Sequence, residues 1–155
     1  MFKKLSALFA ISVVLILAAC GGREETTTVC VIDGIDFYGE TLPGYRAREF
    51  DAIGDRVNIM RERWVFDFEG NEEDLDEILA IIEEEIEFMR MTMVDGLTTE
   101  LTAVTNTEIT WVTTTNFDDL SEADLRMFLR DYDFISLALS AELAEEEGAT
   151  CTVVD

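Results

Sequence analysis

The sequence predicts an α+β fold in a single domain, an antiparallel β-sheet packed against one long and one or two shorter helices. Three features predict it. Threonine- and valine-rich runs with two-residue alternation recur along the chain, a long central segment carries apolar residues at helical spacing, and glycines or Asp-Gly pairs separate these segments. About 135 residues follow residue 20, enough for one core.

The first strand is read over Thr26–Ile32, a β-branched run that holds Cys30, and Asp33-Gly34 marks a turn or bulge. Residues 36–52 alternate poorly and contain Pro43 followed by Gly44, the pattern of an irregular or edge segment. Gly54-Asp55 reads as a hairpin turn into a strand over Arg56–Glu69. Trp64, Phe66 and Phe68 share one face of that strand, with Arg61 and Arg63 on the other. Val57 and Ile59 have the opposite parity to the aromatics, which requires either a bulge near Met60–Arg61 or cover on both faces.

After Gly70-Asn71 a helix is expected over Glu72–Met93. Leu75, Ile78, Leu79, Ile82, Ile86, Met89 and Met93 form one stripe, and Glu72, Glu73 and Asp74 suit the positive end of the helix dipole. Strands over Leu97–Thr105 and Thr107–Thr115 follow, joined near Asn106, with Ile109 and Trp111 on one face and Phe117 turning inward behind them. Ser121 is placed to cap a short helix over Glu122–Asp131. A further helix, Ile135–Glu147, ends at Gly148, and a last strand, Ala149–Val154, holds Cys151.

Lys3 and Lys4 precede an apolar run, Leu5–Leu17, that ends in Leu17-Ala18-Ala19-Cys20. Small residues ahead of a cysteine form a bacterial lipobox. Residues 1–19 therefore read as a lipoprotein signal peptide, Cys20 as the lipidated N-terminus, residues 20–27 as its tether and residues 28–155 as the domain. The apolar run falls short of the roughly 20 residues that a spanning helix needs. Two or three acyl chains on one cysteine hold a protein firmly where a single chain binds marginally. The expected location is the extracytoplasmic face of the cell membrane, and the expected partner is that membrane, through Cys20; a protein or other envelope partner is not specified.

With the leader and its two lysines removed, nine arginines stand against 34 acids, a net charge of −25, with no lysine and no histidine. Such a surface repels nucleic acid and anionic headgroups and excludes both as ligands. Without histidine no Ser-His-Asp or Cys-His site can form, and without mature lysine Schiff-base and Ser-Lys chemistry falls away. No glycine-rich phosphate loop is present. The chain is expected to be a non-enzyme without a cofactor. Carboxylates remain, but among 34 acids a glycosidase-like pair arises by chance.

Weak candidates for a calcium site are Asp118 with Asp119, and Asp131 with Asp133; none has the EF-hand spacing. Glu83–Glu85 and Glu145–Glu147 read as solvated helix faces, the strand aromatics as core, and Arg61 and Arg63 as cross-strand partners of glutamates. With Cys20 taken by lipid, Cys30 and Cys151 remain near the two ends of the domain. An exported protein favours a disulfide between them over two free thiols or a metal pair, since two sulfurs without histidine make a poor zinc site.

The ordered set of features resembles the YehR-like family of small bacterial lipoproteins of unknown function. The features are the lipobox, the threonine-rich strand with Cys30, Gly54-Asp55-Arg56-Val57, the helix of residues 72–93 leading to Gly96-Leu97, Phe117-Asp118, Ala123-Asp124-Leu125 and the closing Glu145-Glu146-Glu147-Gly148-Ala149-Thr150-Cys151. The closing pattern is the most specific of these. The resemblance implies an antiparallel α+β domain on a lipid anchor, with its first strand tied to its last, and it brings no catalytic residues. This chain replaces the lysines expected of such proteins with arginine and acid.

Overall fold

The structure, a computed structural model, describes residues 24–70, 74–92, 94–129 and 132–154. Six strands form one sheet: β1 (Glu25–Phe37), β2 (Glu40–Ile53), β3 (Arg56–Asp67), β4 (Leu97–Val104), β5 (Glu108–Asn116) and β6 (Thr150–Val154). Their spatial order is β4-β5-β3-β2-β1-β6 and every neighbouring pair is antiparallel. The described helices are α1 (Leu75–Thr92), α2 (Glu122–Leu129) and α3 (Leu137–Glu146). β1 takes in residues 25–27, so the segment between Cys20 and the fold is shorter than the sequence suggests.

The main correction concerns residues 36–52. β2 is a long strand hydrogen-bonded on both sides, to β1 and β3, and is neither irregular nor an edge. Pro43 is tolerated because the β1–β2 register shifts between Asp33 and Ile35, opposite it, and because β3 pairing begins only at Gly44. The missing N–H therefore falls where no ladder bond is required. Gly34, at φ +79°, makes the shift possible and lets Ile35 join the core beside Phe66. The parity conflict in β3 is also resolved by a bulge. It sits at Asn58, between the Ala52–Val57 and Asp51–Ile59 pairs, two residues before the expected place. Val57 thereby enters the core and Ile59 turns to the opposite face.

Directly paired residues point to the same side of a sheet. One row crosses all six strands: Cys151, Cys30, Arg48, Glu62, Thr113 and Thr99. A parallel row runs Ile32, Arg46, Trp64, Trp111 and Leu101. This is the face the helices cover. On it α1 buries Leu75, Ile82 and Ile86 against Phe66, Phe68, Ile109 and Trp111, as its stripe requires. A second cluster, Cys30, Phe50, Ala52, Val57, Phe117, Leu120 and Ala144, lies under α2 and α3. Each large side chain fully buried here contributes about 1.5–3 kcal/mol. The Trp111 ring stacks on Trp64 at 5.7 Å, and its Nε1–H donates to Thr99 Oγ1 at 2.6 Å, so the buried indole keeps a partner. The opposite face carries rows such as Val31, Ala47, Arg63, Val112 and Glu100 and has no helix on it among the described residues.

The expected caps are present. Ser121 Oγ accepts from Asp124 N–H, and Gly148, at φ +96°, closes α3. One cap is tertiary. Ser136 accepts from Leu139 N–H, and its hydroxyl donates to Asp55 Oδ2 at 2.8 Å, while Asp55 Oδ1 accepts from Ala138 N–H at 2.8 Å. These bonds to backbone and hydroxyl hold the Asp55 carboxyl below the ordinary range. Because the folded-state value lies below the unfolded one, the ionised group's contribution is fully present above about pH 4 and is lost as pH falls through the folded-state value. Asp55→Asn removes this titration. The stability gap between wild type and variant, measured by urea melts, is expected to shrink as the pH falls below about 4; a gap independent of pH would reject the assignment.

Candidate functional site

The row under the helices is polar at its centre. Arg48 Nε donates to Glu62 Oε1 at 2.9 Å and its Nη1 to Glu147 Oε2 at 2.9 Å. Arg46 Nη2 meets the same Glu147 oxygen at 2.8 Å, and its guanidinium lies 5.3 Å from the centre of the Trp64 ring. Burial alone would lower the Arg48 pKa; the bonds to Glu62 and Glu147 outweigh it and raise the value. Two guanidiniums and two carboxylates cancel, so the seam between the two apolar clusters is electrically closed. Glu147 is thus an ion-pair partner at the solvent-exposed end of α3, and Glu85 likewise accepts from the Tyr38 hydroxyl. Beside the seam lies a cleft of 230 Å³ lined by Ile32, Asp36, Thr41, Arg46 and Trp64. An acidic ligand entering it would have to displace Glu147 from Arg46.

A larger cleft, 520 Å³, opens where the chain enters the domain, among Glu24, Thr26, Asp51, Ile53, Asn58 and Val154. Thr26 Oγ1 and Asn58 Oδ1, both buried, find no partner among the described protein atoms. On the open face Arg61 pairs with Asp51 and Glu49 of β2, and Asp51 also accepts from Thr27 Oγ1 at 2.8 Å. The bond to Asp51 is the main reason the Arg61 pKa is raised. Arg61 is therefore the cross-strand partner the sequence suggests, while Arg63 stands exposed between Ala47 and Val112.

The residues singled out in the sequence fare differently. Cys20 and Asp131 lie outside the described residues. Cys30 and Cys151 face each other across β1 and β6, Cα atoms 3.9 Å apart, and are joined as a disulfide. Asp118 is held by Arg56 Nη2 at 2.9 Å and Asn58 Nδ2 at 2.6 Å, and Asp119 by Asn116 Nδ2 at 2.5 Å. Asp133 lies exposed in the connection before α3. Among the described residues no three acidic or cysteine side chains converge as metal ligands, and no helix is long and apolar enough to cross a membrane. The Arg46–Arg48–Glu62–Glu147 seam was not legible in the sequence. Its glutamates come from another strand and from a helix end about 100 residues away.

No protein-family model and no curated protein matches the chain. Two solved structures share its fold. The NMR structure of a protein from Streptococcus pneumoniae TIGR4 superposes with a TM-score of 0.52 at 12% identity, covering 86% of this chain and 88% of that one. The NMR structure of the Escherichia coli YehR protein gives a TM-score of 0.54 at 16% identity, covering 85% of this chain and 93% of that one. At such identities the likeness is one of fold. The expectation drawn from the resemblance to YehR-like proteins is met at that level: this chain folds as the YehR protein does.

Proposed function

We propose that this protein is a lipoprotein of the bacterial cell envelope, held on the extracytoplasmic face of a membrane by acyl chains on Cys20, and that its domain is a non-enzymatic binding or interaction module. The observation that carries the reading is the lipobox Leu17-Ala18-Ala19-Cys20 set five residues ahead of the first strand at Glu25. The disulfide supports export from the reducing cytoplasm. The non-enzymatic part rests on the lack of histidine and of lysine beyond the leader. Cells fed an alkyne-tagged palmitate analogue are expected to label the wild-type protein and not Cys20→Ala. Label retained by the variant, or absent from both, would reject the anchor.

The alternative, a calcium-binding module on the loops of Asp118, Asp119, Asp131 and Asp133, has less support because Arg56 and Asn58 already occupy the Asp118 carboxylate. At matched ionic strength, calcium and magnesium are expected to raise the melting temperature equally, by screening the acidic surface. A saturable excess for calcium would favour the alternative.

A further inference from the structure

We propose that the end of the domain nearest Cys20 docks directly on the bilayer through exposed aromatic and aliphatic side chains, so that the lipoprotein sits on the membrane in one orientation and does not swing on a tether. The inference rests on the lipid-anchor reading and adds the surface that the anchor brings into contact.

Strand directions define that end. β1 starts there at Glu25, paired with Ile53 beside the β2–β3 turn, and β6 finishes there, with Val154 paired to Thr27. The connection from α2 to α3 is fastened to the same end: Val57 N–H donates to Ile135 O and Leu137 N–H to Asp55 O. α2 is drawn in through Phe128, whose ring meets Phe117 at 5.6 Å, and Phe117 N–H donates to Asn58 O. The large apolar side chains exposed at this end include Ile53, Met127 (68%), Phe128, Tyr132 (60%), Phe134 (41%), Val153 and Val154 (49%). At the far end of the sheet, among the described residues, they are fewer: Tyr38 on the β1–β2 turn, Tyr45 on β2 and Val104 at the close of β4.

The length of chain ahead of the fold selects the occupant. Four residue steps separate Cys20 from Glu24, a reach of at most about 14 Å when fully extended. A lipid on Cys20 would therefore hold this end within reach of the headgroups, where amphipathic rings such as tyrosine partition favourably. Tethering replaces a weak encounter by a high effective concentration. The acidic surface, Glu24 and Glu25 included, opposes adsorption to anionic lipid, so the contact is driven by apolar groups and the anchor and is strongest on zwitterionic bilayers.

The test uses the acylated protein in phosphatidylcholine vesicles with and without bromine on the upper acyl chains, a short-range quencher of tryptophan emission. Phe134→Trp and Met127→Trp place an indole at the proposed contact and Val104→Trp places one at the far end; the wild-type signal of Trp64 and Trp111 is subtracted. Brominated lipid is expected to remove more than about half of the emission added at 134 and 127 and to leave that added at 104. Met127 is largely exposed, so its variant keeps the test informative if Phe134→Trp fails to fold. Sedimentation of all variants with vesicles, with equal quenching or none at the two ends, would overturn docking and leave the anchor standing. Failure of the wild type to sediment would overturn both.

Discussion

Replacing Gly44 by alanine is expected to destabilise the domain by at least about 3 kcal/mol and to yield little folded protein. Gly44 has φ +131° and lies where β2 passes against β3. A methyl group there would sit 2.0 Å from the Val65 carbonyl oxygen and 3.1 Å from the Phe66 Cα. Both neighbours are backbone of a central strand and cannot move without breaking the ladder. Gly39 provides the contrast. It also has positive φ, +86°, but open space around it, so Gly39→Ala is expected to cost only the left-handed penalty of about 1–2 kcal/mol. Urea melts of the two variants measure the difference. Equal costs would mean that conformation alone, and not the close approach of β2 to β3, is what requires glycine at 44.

Removal of the disulfide by Cys30→Ala with Cys151→Ala is the second large effect expected. The bond joins residues 121 apart, and restriction of the unfolded chain by such a loop is worth about 4–5 kcal/mol on the chain-entropy model. Cys30 is also in the core, so its truncation adds a packing loss. β6 pairs with five residues of β1 and is otherwise an edge, and α3 depends on the same corner of the sheet. Hydrogen exchange in the double variant is therefore expected to rise first in residues 137–154, with β3 and β5 protected longest. A denaturant midpoint unchanged by the double substitution would show that the sheet edge holds without the bond.

What the sequence revealed follows from how locally each element is encoded. The α1 stripe, the alternation of Trp64, Phe66 and Phe68, and the caps at Ser121 and Gly148 are set by neighbours a few residues away, and they appear where periodicity places them. β2 was hidden because its polarity has tertiary causes. Arg46 and Arg48 point under the helices, where Glu62 and Glu147 neutralise them, while Glu49 and Asp51 meet Arg61 on the open face. A strand charged on both sides shows no alternation. The bulge at Asn58 was misplaced for a similar reason, since that position is set by Phe117 and Asp118 approaching from beyond β5. The Asp55 cap on α3 comes from 81 to 83 residues away and leaves no local signature.

The central claim, that Cys20 becomes a lipidated N-terminus directly ahead of the fold, is tested most directly by the intact mass of the protein extracted from membranes, with fragmentation of its first peptide. The expected result is a chain beginning at Cys20, carrying a thioether-linked diacylglycerol, with Cys30 and Cys151 oxidised. A chain that retains Met1, or one cut elsewhere with an unmodified Cys20, would contradict the account.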